Sequence, residues 1–332
     1  MRIGLIGLGR IGAFHARTLT ALDAVEELVV TDALPGLADQ VAAELGATAV
    51  AEPADLLTAG VDGVVIASST ATHPDLLRAC VGAGLTTFCE KPVASTAKEA
   101  IALRDELTGS TVPVQIGFPR RFDAGYVAAR EDLLTGRLGY VHTVRSTTLD
   151  PAPPPEAYIR TSGGIFHDCS VHDIDSVRWA TGQDVVEVYA VGSTQGVDFI
   201  RAAGDAESVT AVLTLSGGTT AVISNTRSNA RGYDVRLELL GSLDSVSAGL
   251  DDRLPLRSAE PGATFPAGQP WDFFMDRLAD AFRVELAAFT DLVAGRIESP
   301  CTVADAVEAS LVAEACTISW REHRPVRLDE VR

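Results

Sequence analysis

The stretch Gly7-Leu8-Gly9-Arg10-Ile11-Gly12 decides the fold of the first part of this chain. It has the spacing G-x-G-x-x-G, follows the apolar run Ile3–Gly7, and opens a helical pattern over Ile11–Leu22. A glycine-rich turn between a strand and a helix is the setting in which this spacing binds a dinucleotide. The N-terminus of the helix would supply unpaired N–H groups and a partial positive charge for the pyrophosphate. We therefore predict a cofactor-binding turn made of Gly7, Gly9, Arg10, Ile11 and Gly12.

Each glycine of the turn has a predicted task. Gly7 would permit the tight turn, Gly9 would let the backbone approach the pyrophosphate, and Gly12 would let the helix pack closely on the strand. Asp32 ends the second predicted strand, 20 residues after Gly12. A carboxylate there can accept hydrogen bonds from a ribose and would repel a 2′-phosphate, so we expect NAD rather than NADP.

The first 120 residues alternate apolar runs with helical spacing. Such alternation indicates parallel strands joined by crossover helices, so we predict a doubly wound Rossmann domain over residues 1–120. The predicted strands are Ile3–Gly7, Glu27–Thr31, Val61–Ala67, Thr86–Cys89 and Val112–Gly117, and the helices are Ile11–Leu22, Leu34–Leu45, His73–Ala83 and Thr96–Glu106.

The pattern changes after residue 120. Alternating strands with short glycine-rich joins indicate a sheet with one covered face, so we predict an α+β domain over 121–332 with a large, mostly antiparallel open sheet. The predicted strands are Val141–Thr148, Val185–Val191, Ser208–Leu215, Thr219–Thr226, Val235–Leu240 and Ser245–Ala248. Two long helices are expected over Trp271–Ala294 and Val303–Arg321, the last of which could pack back on the Rossmann domain.

Composition excludes several classes of function. The 332 residues include 27 basic and 45 acidic residues, a formal net charge of −18, which argues against binding nucleic acid or an anionic membrane. We find no signal peptide and no apolar run long enough to span a membrane. Five widely spaced cysteines fit reduced thiols, so we expect a cytoplasmic protein.

Lysine is rare enough to be informative. The basic residues are 25 Arg and two Lys, Lys91 and Lys98. Lys91 follows the fourth predicted strand in Cys89-Glu90-Lys91-Pro92, and ligands of doubly wound sheets bind at these strand ends. An ammonium group there can donate to an oxygen that changes between hydroxyl and carbonyl. Lys98 is typical of a solvated helix start, and an exposed surface position is the alternative for Lys91 as well.

The loop after the third predicted strand is rich in hydroxyl groups. Ser68, Ser69, Thr70 and His73 lie in it, and we expect them to contact the cofactor. The alternative is an N-cap for the following helix, and both interpretations can hold together.

A second polar segment runs from Phe166 to Gly182 and reads as a helix. Asp168, His172 and Asp175 have the spacing i, i+4 and i+7, which would place them on one face, with Val171, Ile174 and Val177 on the apolar face. A histidine flanked by carboxylates could be a general base, and the same set could bind a divalent metal. A merely structural polar face is equally compatible with this spacing.

Together these motifs resemble the Gfo/Idh/MocA oxidoreductase family, and within it the inositol 2-dehydrogenases. The resemblance rests on G-x-G-x-x-G at 7–12, Glu90-Lys91-Pro92, the segment 117–123 with its paired arginines, and Asp168-x-x-x-His172-x-x-Asp175. It covers nearly the whole chain. Departures are Pro119 before the paired arginines, Cys169, and the proline-rich loop Asp150–Pro155.

The resemblance implies an NAD-dependent dehydrogenase that oxidises a secondary hydroxyl of a cyclitol such as myo-inositol, without a metal. It implies that Lys91 hydrogen-bonds the reacting hydroxyl, His172 takes its proton and Asp168 orients His172. The residues expected at the cofactor then include Glu90 and Lys91, and those at the substrate are Arg120, Asp168, His172, Asp175 and Tyr233.

Alternatives to a cyclitol dehydrogenase remain. They are a dehydrogenase of a pyranose or nucleotide-linked sugar, a non-catalytic dinucleotide-binding regulator, and a reductase of an unrelated conjugated substrate such as a biliverdin. A homo-oligomer, dimer or tetramer, is expected because an open sheet face invites pairing of sheets.

Overall fold

The computed structural model describes residues 1–332, and the chain divides into two units. Unit 1 comprises Met1–Pro119 and Phe282–Glu308, and unit 2 comprises Arg120–Ala281 and Ala309–Arg332. None of the helices combines the length and the apolar character required to cross a bilayer.

Unit 1 contains a six-stranded sheet in which all pairings are parallel, in the order β3-β2-β1-β4-β5-β6. The strands are β1 (Arg2–Ile6), β2 (Glu27–Thr31), β3 (Thr48–Ala49), β4 (Gly63–Ile66), β5 (Thr86–Glu90) and β6 (Val114–Gly117). The connecting helices are α1 (Arg10–Thr20), α2 (Leu37–Leu45), α3 (Pro53–Thr58), α4 (His73–Gly82) and α5 (Ala97–Leu107). The predicted doubly wound domain is confirmed.

The core of unit 1 explains the continuous apolar runs in its strands. Ile3, Leu5 and Val30 are fully buried because helices cover both faces of a parallel sheet. Phe289, which lies near the end of the chain, packs in the same core. The strand ends are therefore fixed on a rigid platform, from which the polar loops project.

Unit 2 contains a seven-stranded sheet in the order β12-β11-β7-β10-β9-β8-β13. Only β7 and β10 pair in parallel, so the predicted mostly antiparallel sheet is confirmed. Its strands are β7 (Val141–Leu149), β8 (Val185–Ser193), β9 (Ser208–Leu215), β10 (Thr220–Thr226), β11 (Asp234–Gly241), β12 (Ser245–Ala248) and β13 (Val326–Arg327).

The remaining helices are α6 (Ala124–Leu134), α7 (Glu156–Ile159), α8 (Val171–Thr181), α9 (Asp198–Ala202), α10 (Phe274–Arg277), α11 (Ala279–Val293) and α12 (Val303–Glu322). One predicted helix is wrong in its extent. Trp271 is held in an antiparallel bridge with Tyr233, Phe273 is extended, and Leu278 separates α10 from α11. The helix predicted over Trp271–Ala294 is therefore two helices that begin later.

The polar segment predicted as one helix from Phe166 has two parts. Residues Phe166–Ser170 form a π-helical turn, and α8 follows and ends at Gly182, whose φ is 65°. Val171, Ile174 and Val177 are buried, as predicted for the apolar face. Asp168 therefore lies in the π turn and not in α8, which contains His172 and Asp175.

Candidate active site

The glycine-rich turn of unit 1 leaves space where a phosphate would be expected. Gly7 has φ +94°, and a Cβ there would lie 2.6 Å from the Ser68 backbone. A Cβ on Gly12 would lie 2.0 Å from the Gly7 carbonyl oxygen, so that position permits only glycine. A Cβ on Gly9 would meet no atom within 4 Å. Gly9 also begins α1 without a side-chain cap, so the first N–H groups of the helix face this open space.

Asp32 lies at the end of β2 beside the same turn. One carboxylate oxygen accepts the Leu8 N–H at 2.6 Å, and the other accepts the Leu34 N–H at 2.7 Å. Each oxygen retains a further acceptor position, so the carboxylate can still bind ribose hydroxyls. Asp32 therefore shapes the turn in addition to the ribose contact predicted for it.

His73, which the sequence places among the cofactor contacts, links two strand-end loops. Its side chain is buried, with Nδ1 2.8 Å from the Pro92 carbonyl oxygen and Nε2 3.1 Å from that of Ser68. Burial lowers the pKa of His73 below its usual value, against the raising effect of these two carbonyls. In the same loop the Ser68 and Thr72 hydroxyls are 2.7 Å apart.

Glu90 and Lys91 end β5, and the structure gives the two side chains different surroundings. Glu90 is buried, and its Oε1 lies 2.6 Å from Nε2 of the fully buried His15 on α1. Lys91 is half-buried, and its peptide bond to Pro92 is cis. The pair of His15 and Glu90 therefore ties the helix of the glycine-rich turn to the strand that carries Lys91. No local sequence pattern indicated His15, because its partner is 75 residues away.

In unit 2, a buried carboxylate absent from the sequence-based prediction organises the sheet face under α8. Asp173 has no exposed surface and accepts hydrogen bonds from four side chains, namely Arg120 (2.9 Å), Ser146 (2.5 Å), Thr148 (2.8 Å) and Asn225 (2.7 Å). Burial alone would lower the pKa of Arg120, but the Asp173 carboxylate raises it above its usual value. Arg120, predicted at the substrate, is thus buried in this network.

A second buried ion pair holds the next turn of α8. The Asp175 oxygens accept from Arg121 Nε at 3.0 Å and Nη2 at 2.6 Å, a two-pronged contact. The two side chains are 6% and 1% exposed. Asp175, predicted to contact the substrate, therefore lies on the buried side of α8, whereas His172 is half-buried.

Asp168 lies in the π-helical turn one turn before His172. Its Oδ1 accepts the Tyr158 hydroxyl at 2.7 Å and its Oδ2 accepts Nη1 of the buried Arg227 at 2.9 Å. Tyr233 is buried after the loop that follows β10, and burial raises the pKa of its hydroxyl. Nowhere in the chain do three or more His, Cys, Asp or Glu side chains gather as metal ligands would.

Family models and known proteins match the sequence of both units. The family model of an oxidoreductase family with an NAD-binding Rossmann fold matches residues 1–118, and that of the GFO/IDH/MocA C-terminal domain matches residues 126–247. A myo-inositol 2-dehydrogenase of Thermotoga maritima is 35% identical, covering 100% of this chain and 99% of its own. An inositol 2-dehydrogenase of Rhizobium meliloti is 34% identical over 99% of each chain.

A solved structure of scyllo-inositol dehydrogenase from Lactobacillus casei, with bound cofactor NAD(H) and scyllo-inositol, superposes with a TM-score of 0.88. It is 27% identical and covers 99% of each chain. The fold and the glycine-rich turn thus define an NAD-binding oxidoreductase with a Rossmann unit. The chain belongs to the GFO/IDH/MocA family. The predicted family and the predicted NAD cofactor are confirmed.

Proposed function

We propose that this protein is an NAD-dependent dehydrogenase that oxidises a secondary hydroxyl of a cyclitol such as myo-inositol to a ketone. The observation that carries the proposal is the full-length similarity to proteins named myo-inositol or inositol dehydrogenases, at 34–36% identity. The similarity extends through both units. In addition, the chain has Lys91, Asp168 and His172 at the positions that the family resemblance assigns to acid–base chemistry.

The cofactor residues in this proposal are those of the turn and the neighbouring strand ends. The α1 N-terminus would receive the pyrophosphate, and Asp32 would accept from the adenosine ribose. The Ser68–Thr70 hydroxyls lie in the next strand-end loop. When bound, NAD would supply the hydride acceptor for the carbinol carbon.

The protein's own groups would handle the proton and the developing negative charge. His172 would accept the hydroxyl proton, while the Lys91 ammonium would donate to the same oxygen and stabilise its alkoxide character. Asp168 would orient the His172 ring. Lysine suits this role better than arginine, because its ammonium is a compact donor whose proton can move.

The substrate class is tested by following NAD reduction at 340 nm with a panel of inositol stereoisomers, common hexoses and a nucleotide-linked sugar. The proposal expects the highest kcat/KM with an inositol. A clear preference for a pyranose would show that the substrate is a sugar and not a cyclitol. No NAD reduction with any polyol would favour a binding or regulatory role.

The roles of the residues are tested by Lys91→Met, with Lys98→Met as a matched control because Lys98 is exposed on α5. Lys91→Met should lower kcat by 100-fold or more, roughly the contribution of one acid–base group, while NAD still binds. Lys98→Met should behave as wild type. Near-normal turnover of Lys91→Met would remove the lysine from the mechanism.

Assembly into a homo-oligomer belongs to the same proposal. On unit 2, Tyr189, Val191 and Val212 are 40–46% exposed on neighbouring strands of the sheet. Apolar side chains on an open sheet face favour contact with a second copy. Sedimentation velocity would distinguish a dimer or tetramer from a monomer. A monomer would contradict this part of the proposal.

A further inference from the structure

Arg227 is the largest side chain in the protein that is almost wholly buried, and it lies between two carboxylates. It follows β10, and its Nη1 donates to Asp168 Oδ2 at 2.9 Å. Its Nη2 lies 3.6 Å from Asp205 Oδ2. The side chains of Arg227, Asp168 and Asp205 are 1%, 14% and 8% exposed, so this row of charges is largely shielded from water.

Both ends of the row are fixed. Asp168 uses its second oxygen to accept the Tyr158 hydroxyl. Asp205 uses its second oxygen to accept the backbone N–H groups of Ile165 at 3.0 Å and Ala206 at 2.8 Å. The guanidinium therefore lies between the two carboxylates, joined to Asp168 by a hydrogen bond and to Asp205 by a longer ion contact of 3.6 Å.

A contribution to the stability of the fold does not explain why these three charges are buried together. Arg227 Nε and Nη2 make no hydrogen bond within the chain, although both are buried. A buried ion pair with incompletely satisfied nitrogens is commonly no more stable than an apolar replacement. We therefore look for its function in the orientation of the Asp168 carboxylate.

We propose that Arg227, supported by Asp205, is a positioning residue that holds Asp168 as an oriented carboxylate for the acid–base step. The inference rests on the proposed role of Asp168 beside His172. Arg227 itself touches no reacting atom in this account and acts through Asp168.

The proposal makes a specific claim about pH. Asp168 contacts Tyr158 and Arg227, and Arg227 in turn faces Asp205. The neighbouring residue Cys169 is buried, and the charges of Asp150 and Asp173 raise the pKa of its thiol further. Arg227 pairs with Asp168 in this group, with Nη1 2.9 Å from Oδ2. A cation at this distance favours the ionised carboxylate, so replacing Arg227 by a neutral side chain should make Asp168 easier to protonate and should move the acid limb of activity to higher pH.

The experiment compares Arg227→Gln and Asp205→Asn with wild type, measuring kcat/KM against pH, NAD affinity by fluorescence, and Tm. Arg201→Gln is the matched control, since Arg201 is an exposed arginine on α9 paired with the exposed Asp198. Asp205 also borders a cavity of about 240 Å³, so its neutral variant can be hydrated.

For Arg227→Gln we expect a loss in kcat of about 10- to 100-fold, the effect typical of an outer partner of a functional group. The acid limb of the profile of kcat/KM against pH should move to higher pH by about one unit or more. Its slope should increase toward the value expected when two protons are taken up. NAD affinity should change less than twofold. Asp205→Asn should lower kcat less than Arg227→Gln does, and Arg201→Gln should change neither kcat nor the pH profile.

An Arg227→Gln enzyme with the wild-type pH profile, whether or not its Tm falls, would overturn the inference, because a purely structural role predicts that outcome. If Arg227→Gln does not fold, an unchanged kcat in Asp205→Asn would overturn it instead. The proposed function fails separately, when the wild type reduces no NAD with any polyol, and the inference then falls with it.

Discussion

Replacing Gly9 by alanine should separate cofactor affinity from stability. The residue has φ −61° and ψ −170°, which alanine adopts freely, and the new methyl would touch no protein atom within 4 Å. Alanine restricts the unfolded chain, which stabilises by about 0.4–1 kcal/mol, but it is a poorer helix N-cap by a similar amount. The free energy of unfolding should therefore change by less than about 1 kcal/mol, or about 3 °C in Tm.

NAD affinity should change much more. The methyl group would stand in the open space above the α1 N-terminus and keep the pyrophosphate from the backbone N–H groups. Loss of one hydrogen bond to a charged group costs about 1.5–3 kcal/mol. That is about a 10- to 150-fold increase in the Kd for NAD, which titration calorimetry would measure directly.

Gly12→Ala is the matched comparison for Gly9→Ala. Its Cβ would lie 2.0 Å from the Gly7 carbonyl oxygen, so the backbone must shift. Overpacking of this kind costs about 1–3 kcal/mol, and both Tm and NAD affinity should fall. An unchanged Kd for NAD in Gly9→Ala would refute the placement of the pyrophosphate at this turn.

Three further predictions concern the strand ends of unit 1. Asp32→Ala should reduce the preference for NAD over NADP by about tenfold, since a carboxylate near a 2′-phosphate costs about 1–4 kcal/mol; the ratio of kcat/KM values measures this. The lowered pKa of His73 means that the unfolded chain binds more protons below about pH 6.5, so stability should fall as the pH drops below that value. Urea unfolding at pH 7.5 and 5.5 should show that the free energy of unfolding falls less between these pH values in His73→Asn than in wild type. An equal fall in both proteins would contradict the prediction. Glu90→Gln weakens the buried contact with His15 and should lower the free energy of unfolding by about 1–3 kcal/mol, visible as a lower Tm.

The sequence was sufficient for the elements whose patterns are local. The strands of unit 1 are continuous apolar runs because both faces are covered, and β9 alternates because one face is covered. The Thr302 hydroxyl and the Asp305 carboxylate cap α12 reciprocally, an arrangement that needs only residues three apart in the sequence.

The sequence was insufficient where the stabilising partner is remote. α6 buries only Tyr126 and Ala129, so it has little periodic signal, although its N-cap Asp123 could have revealed it. The burial of Asp173 depends on partners from β7 and β10, and Arg227 lies 59 residues from Asp168. Residue identity can suggest such charges as candidates, but only the fold pairs them.

The contact between Asp32 and the Leu8 N–H has a consequence for the evolution of cofactor preference. The carboxylate that would select against a 2′-phosphate also braces the loop that would receive the pyrophosphate. In a lineage changing to NADP, a substitution of Asp32 would therefore affect both the choice of cofactor and the position of the turn. A second substitution that gives the Leu8 amide another acceptor would then be favoured together with the first.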